Sequence, residues 1–169
     1  MFFIVLGVIF ALVLALDLTT KYLSVLFDFN FVVIPKLLKF VQAYNTGAAF
    51  GMFDDKSWAK YFFITLTILT TIAIIIYFIF NIVKKRKISK WLGVSLTLIA
   101  SGALGNLYDR LIIGKVRDFI LFFYETRIFP FIFNIADAAL VIGVIMLIIY
   151  MLFLEKDAVF KRKDKQNGN

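Results

Sequence analysis

Phe131-Ile132-Phe133-Asn134-Ile135-Ala136-Asp137-Ala138-Ala139-Leu140, followed by an apolar run that continues to Leu154, decides the class of this chain. At about 1.5 Å per helical residue the run is long enough to cross roughly 30 Å of hydrocarbon. Asp137 lies inside it. A carboxylate at such a depth costs roughly 3 kcal/mol even on insertion scales, so it must face a protein interior or a wet cavity and usually marks chemistry or transport. A second aspartate, Asp118, stands a short way upstream in Gly114-Lys115-Val116-Arg117-Asp118-Phe119.

The composition agrees with a membrane setting. Of 169 residues, 62% are hydrophobic and 21 are Phe, and the mean hydropathy is +0.93, which leaves too little polar surface to cover a soluble domain. Three further runs reach spanning length, residues 2–26, 58–83 and 91–113, so with 131–154 the sequence predicts four transmembrane helices. The first run has no Lys or Arg ahead of it and no small-residue cleavage pattern after Asp17-Leu18-Thr19-Thr20-Lys21, and reads as a retained helix rather than a secretory signal.

Basic residues predict the orientation. Lys84, Lys85, Arg86, Lys87 and Lys90 crowd the connection between the second and third spans, and Lys156, Lys161, Arg162, Lys163 and Lys165 lie in the tail. Both regions are expected on the cytoplasmic side, with both termini inside and the connections 27–57 and 114–130 outside. The net charge of +8 then reflects contact with the inner leaflet, and nucleic-acid binding is not expected. Residues 161–169 read as a disordered cytoplasmic tail.

The chain has no Cys and no His, which excludes disulfides, thiolate nucleophiles, His-assisted serine catalysis and the usual zinc sites. No metal or other cofactor is expected. Any chemistry falls to Asp, Asn, Arg, Lys, Ser, Thr or Tyr.

The polar residues of the spans gather near one level. About 22 Å of apolar helix precedes Asp17, placing it in the outer leaflet, with Lys21 one turn further on to offset it and extend toward the headgroups. An intrahelical ion pair and a substrate contact are equally open for this pair. In Ser101-Gly102-Ala103-Leu104-Gly105-Asn106-Leu107-Tyr108-Asp109-Arg110, Ser101 and Gly105 would let a second helix approach, while Gly102, Asn106 and Arg110 share a neighbouring stripe. Arg110, eight residues before Asp118, could hold a carboxylate or brace the loop that carries it. Asn134 and Asp137 fall on one side of the fourth span, roughly 9 Å below its start for Asp137. Between the first two spans, Phe31-Val32-Val33-Ile34 and Leu38-Lys39-Phe40-Val41-Gln42-Ala43-Tyr44 are β-prone and predict a small sheet resting on the bilayer, followed by the turn composition of Asn45-Thr46-Gly47.

Two carboxylates sharing a site cannot both ionise cheaply, so the pair holds one proton and offers an acid and a base together. Such a pair can hydrolyse a peptide through an activated water. Asp118 and Asp137 are the candidates, because Asp109 adjoins Arg110 and Asp17 has Lys21; which of the two begins as the base stays open. A small transporter or proton-coupled channel is the alternative from another class, but it needs polar residues at several depths, and the inner halves of the spans are nearly all apolar. A Ser24–Lys21 dyad is a rival within the hydrolases.

These motifs, Asp17-Leu18-Thr19-Thr20-Lys21, Asn45-Thr46-Gly47-Ala48-Ala49-Phe50-Gly51, Gly102 to Arg110, Val116-Arg117-Asp118-Phe119 and Phe133-Asn134-Ile135-Ala136-Asp137, together closely resemble the bacterial lipoprotein signal peptidases, or signal peptidase II. The resemblance covers nearly the whole chain in order. It implies an all-α integral membrane protein of four transmembrane helices with a small extracytoplasmic β-sheet platform, residues 1–160 forming one peptidase domain. It implies an aspartyl endopeptidase of the bacterial inner membrane that cleaves diacylglyceryl-modified prolipoproteins just before the lipidated cysteine, with its active site near the outer face. Asp118 and Asp137 match the family's catalytic pair, and Asp17, Lys21, Asn45, Gly47, Asn106, Arg110 and Asn134 match positions that line or brace it. Membrane lipid is an expected partner, and inhibition by globomycin-type cyclic peptides is an expected property. Ser101 departs from a glycine common there, a small-for-small change.

Overall fold

The computed structural model describes residues 1–46, 57–125 and 131–155. In chain order it has helix α1 (Phe2–Leu26), strands β1 (Asn30–Ile34) and β2 (Leu38–Asn45), helices α2 (Ser57–Val83) and α3 (Lys90–Ile112), strands β3 (Val116–Phe122) and β4 (Phe131–Phe133), and helix α4 (Ile135–Ile149), which runs on through a π-helical turn at Tyr150–Leu154. Among the described residues these four helices are long and apolar enough to cross a membrane.

The helices divide the work unequally. In α3, 61% of the most apolar window is buried, against 11% in α1, 6% in α2 and 11% in the fourth helix, so α3 is the central post and the others present most of their surface outward. Residues such as Ile68, Leu69, Ile72, Ile75, Ile76 and Ile79 of α2 are exposed, as a lipid-facing helix requires. The small residues of α3 set the spacing. A β-carbon on Gly102 would run into the Ala136 carbonyl and Leu140 of α4, and one on Gly105 would strike the Asp17 carboxylate of α1, so at this level the two flanking helices sit against bare backbone. Lower down, Ser95 donates to the Gly143 carbonyl at 2.8 Å, fastening α3 to α4 with a polar bond inside the apolar layer.

A four-stranded antiparallel sheet in the order β1-β2-β3-β4 joins the C-terminal ends of α1 and α3 to the N-terminal end of α4. α1 closes where Phe29 N–H reaches back to the Ser24 carbonyl across Asp28, whose φ of 43° is one that aspartate tolerates better than most residues. The turn from α3 into β3 passes through Gly114 at φ 79°. Phe29, Phe31, Phe40 and Phe119 form a ring cluster with centroids 5.3 to 6.2 Å apart, which binds the end of α1 to the sheet.

One boundary differs from the sequence expectation. The apolar run beginning at Phe131 predicts helix from its first residue, yet residues 131–133 pair with residues 120–122 as β4, with Phe133 stacked on Phe122 at 5.7 Å, and the helix starts only at Ile135. Aromatic and β-branched residues beside an unpaired strand gain more from pairing than from one extra helical turn, and Asn134 supplies the helix start. Asp137 consequently lies in the first turn of α4 rather than well below the end of a longer helix.

Candidate active site

The N-terminus of α4 organises the polar site. The first turn of a helix carries amides with no partner within the helix and the positive end of its dipole, and here three side chains meet that demand. Asn134 is the N-cap and its Oδ1 accepts from the Asp137 amide at 2.8 Å, while Asp137 Oδ2 accepts from the Asn134 amide at 3.2 Å, a reciprocal capping box. Asp17, from α1, accepts from the Ala136 amide at 2.8 Å.

The Asn134 side chain then ties this terminus to β3. Its Nδ2 donates to Asp118 Oδ1 at 2.6 Å and lies 3.2 Å from both the Arg117 carbonyl and Asn106 Oδ1. Asn106 in turn donates to Asp137 Oδ1 at 2.7 Å. Strand register supplies the last contact: Ala43 of β2 faces Asp118, so Asn45, two residues on, projects to the same side and donates to Asp118 Oδ2 at 3.2 Å. Asp118 and Asp137 are thus held by one set of amides, Asn45, Asn106 and Asn134.

Lys21 sits behind this set and corrects one expectation. It does not reach outward to the headgroups. Its side chain is fully buried, 2.8 Å from Asp17 Oδ2 and 3.6 Å from Asp109 Oδ2, and it donates to Asn106 Oδ1 at 2.9 Å. Three inward acceptors outweigh hydration of a single ammonium at the interface. The same geometry disposes of a Ser24–Lys21 dyad, since Ser24 donates to the Lys21 carbonyl at 2.8 Å and the ammonium is committed elsewhere.

The guanidinium that braces the Asp118 strand belongs to Arg117, a residue the sequence reading passed over. Asp109, fully buried at the end of α3, accepts from the Arg117 backbone amide at 2.9 Å and from its Nε and Nη2. These bonds hold the Arg117 charge above its ordinary proton affinity. The available signal was an aspartate and an arginine eight residues apart across a tight Gly114 turn. Arg110, expected to hold a carboxylate or brace that loop, stands over the Phe63 ring of α2 at 5.1 Å, and its charge acts on both Asp137 and Asp118. Of the other expected site residues, Gly47 lies outside the described residues; so do Lys156, expected on the cytoplasmic side, and the expected disordered tail 161–169.

Burial and the negative charge of Asp137 push the Asp118 carboxyl up to about 7, against the Asn45 and Asn134 hydrogen bonds and the Lys21 charge, which pull it down. A carboxyl with that value is half protonated at neutral pH, which suits a group that both takes and gives protons.

Beside the carboxylates opens a cavity of about 700 Å³ between α2, α3 and α4. Asn45, Asn106, Arg110 and Asp137 form its polar end, and the remaining wall is almost wholly apolar, with Leu66, Leu140 and Ile142 among its residues. An apolar channel whose polar end holds Asp137, with Asp118 buried behind Asn45 and Asn134, suits a segment that is itself lipid-soluble except at one bond.

Comparison with known proteins places this architecture. It is similar to two solved bacterial membrane enzymes determined by the in meso method. For the 2.3 Å structure the TM-score is 0.74 at 36% identity over 88% of this chain and 87% of that one, and for the 1.9 Å structure it is 0.73 at 34% identity over 88% and 93%. The fold is therefore that of a bacterial multi-helix membrane enzyme. Residues 9–153 match the family model for signal peptidase II, and the chain is 39% identical to the lipoprotein signal peptidase of Pseudomonas aeruginosa over 74% of its own length and 72% of the relative's. It is 34% identical to that of Pseudomonas syringae pathovar tomato over 86% and 84%. The chain belongs to the signal peptidase II family, the aspartic-type membrane proteases that remove signal peptides from lipoproteins.

Proposed function

We propose that Asp118 and Asp137 form the catalytic dyad and cleave diacylglyceryl-modified prolipoproteins immediately before the lipidated cysteine. The observation that carries this reading is the joint hold on the two carboxylates: Asn134 donates to both, through Nδ2 to Asp118 and through its backbone amide to Asp137, on a polar floor at the end of an apolar cavity. In the reaction the pair shares one proton. The ionised carboxylate takes a proton from water as the water oxygen attacks the scissile carbonyl carbon, and the protonated carboxyl hydrogen-bonds the carbonyl oxygen. Collapse of the tetrahedral intermediate breaks the C–N bond, with the proton passing to the departing amine, so no covalent enzyme intermediate forms. Asn45, Asn106 and Asn134 keep the carboxylates aligned, and Arg110 offsets part of their charge.

The lipid matters to this scheme. Acyl chains fix the modified cysteine at the interface, and the apolar signal helix enters the cavity walls sideways, so the bond arrives at a set depth with little sequence readout. The basic connection at residues 84–90 supports an orientation with both termini in the cytoplasm of the bacterial cell and the sheet and dyad at the outer face of the inner membrane. Residues 1–160 form the peptidase domain. Globomycin-type peptides would compete for the same cavity. Purified enzyme in detergent incubated with a synthetic diacylglyceryl lipopeptide tests the proposal: a single cut before the lipidated cysteine, suppressed by globomycin, is expected, and cleavage elsewhere or none would refute it.

A further inference from the structure

Residue 117 is gripped in three ways. Its amide donates to Asp109 Oδ2 at 2.9 Å, its carbonyl lies 3.2 Å from Asn134 Nδ2, and its guanidinium closes on Asp109 with Nε 3.2 Å from both oxygens and Nη2 2.5 Å from Oδ1. The first two grips use main chain, and any residue but proline at 117 would keep them. Only the third needs arginine, so the guanidinium serves something beyond fixing β3.

Charge shows what that is. Asp109 stands between Arg117 and Lys21, whose Nζ is 3.6 Å away; Lys21 is also 2.8 Å from Asp17 and donates to Asn106 Oδ1 at 2.9 Å. Asp17, Asp109, Lys21 and Arg117 therefore form a cluster with two charges of each sign. Asn106 connects that cluster to the carboxylate pair, because its Oδ1 takes Lys21 while its Nδ2 gives to Asp137.

We propose that Arg117 is a positioning residue: by neutralising Asp109 it keeps the Lys21 ammonium on Asn106, and so keeps the Asn106 amide directed at Asp137. The inference rests on the dyad reading above. Without the guanidinium, Asp17 and Asp109 share the single ammonium of Lys21 out of contact with water, and Lys21, already 3.6 Å from Asp109, is drawn further toward it. Drawn toward Asp109, the ammonium loosens its bond to Asn106. The stranded charge also makes the neighbouring pair harder to ionise. The remaining charged and titratable groups around Arg117 and the pair are Asp17 and Lys21 of α1, Tyr44 of β2 with Lys115 at 3.6 Å from its ring, Lys60 of α2 beside Gly114, and Tyr108 and Arg110 of α3. Substitution at 117 leaves all of these in place.

The test is lipopeptide cleavage by Arg117→Leu, Arg117→Lys and the double variant Asp109→Asn/Arg117→Leu, with kcat and KM followed from about pH 5 to 9. Arg117→Leu should lower kcat about tenfold with KM within about twofold, and move the alkaline limb of the profile up by about one pH unit. Arg117→Lys should return the limb toward its parent position. The double variant is decisive, because it removes both charges and leaves the side-chain brace broken: the limb should come back, whereas a merely mechanical brace predicts no recovery. An unmoved limb in Arg117→Leu, or a limb still shifted in the double variant, overturns the proposal. Should Arg117→Leu fail to fold, Asp109→Asn alone strands the opposite charge and should move the limb down, and no movement there is equally fatal. Asp118→Asn run alongside separates the two readings, since cleavage surviving in that variant sinks the dyad whatever Arg117 does.

Discussion

Asn134 donates its side-chain amide to Asp118 at 2.6 Å, while the same residue caps α4. Folding and alignment of the site are therefore written into one side chain, and they can be separated. Asn134→Ser keeps an N-cap acceptor but its shorter side chain does not reach Asp118, so the protein should insert and fold within about 1 kcal/mol of the parent while kcat falls at least about a hundredfold. Asn134→Ala should lose activity similarly and about 1 kcal/mol more of stability, which thermal unfolding in detergent will show.

The raised Asp118 carboxyl gives two pH effects. Cleavage should decline as pH rises through about 7, because the pair then loses its shared proton. Stability follows the same sign: a carboxyl with a folded value above its unfolded value favours folding most at low pH, and that contribution is lost between the unfolded value, about 4, and about 7. Asp118→Asn should therefore unfold at a higher temperature than the parent at pH 8, and at nearly the same temperature at pH 4. A gain confined to pH 4 would contradict the assignment.

Lys21 lies fully buried between Asp17 and Asp109. Lys21→Met leaves two carboxylates without it and should destabilise the protein by about 3 to 5 kcal/mol, far more than the fraction of a kcal/mol expected for an exposed lysine. Lys84→Ala, in the connection between α2 and α3, is the control and should leave both unfolding temperature and cleavage unchanged.

Gly105→Ala probes the close approach of α1 and α3. The added methyl would strike the Asp17 carboxylate, whose other oxygen holds the Ala136 amide. We expect about 1 to 3 kcal/mol of destabilisation and a loss of activity that Gly7→Ala, with nothing near its added carbon, does not share.

Much of this was readable from residue order. Spans of apolar residues and the β-prone segments around Phe31 and Phe40 follow from periodicity, and Asp137 stands out through the cost of charge in hydrocarbon. What the sequence concealed was direction. Lys21 reads as an interfacial lysine because spacing gives its helix face but not the three acceptors packed against that face. Arg110 reads as the partner of the Asp118 loop because it lies eight residues before Asp118, whereas the Asp109–Arg117 bond depends on how tightly the chain turns at Gly114. The helix start at Ile135 was hidden for a similar reason: residues 131–133 are as apolar as the helix that follows, and only the strand pairing at residues 120–122 distinguishes them.

The most direct measurement is lipoprotein processing by Asp118→Asn and Asp137→Asn, each inserted in membranes at parent levels. The side chains keep their shape and lose the proton exchange, so each variant should fall by about a thousandfold or more. Near-parent cleavage by either one would contradict the dyad.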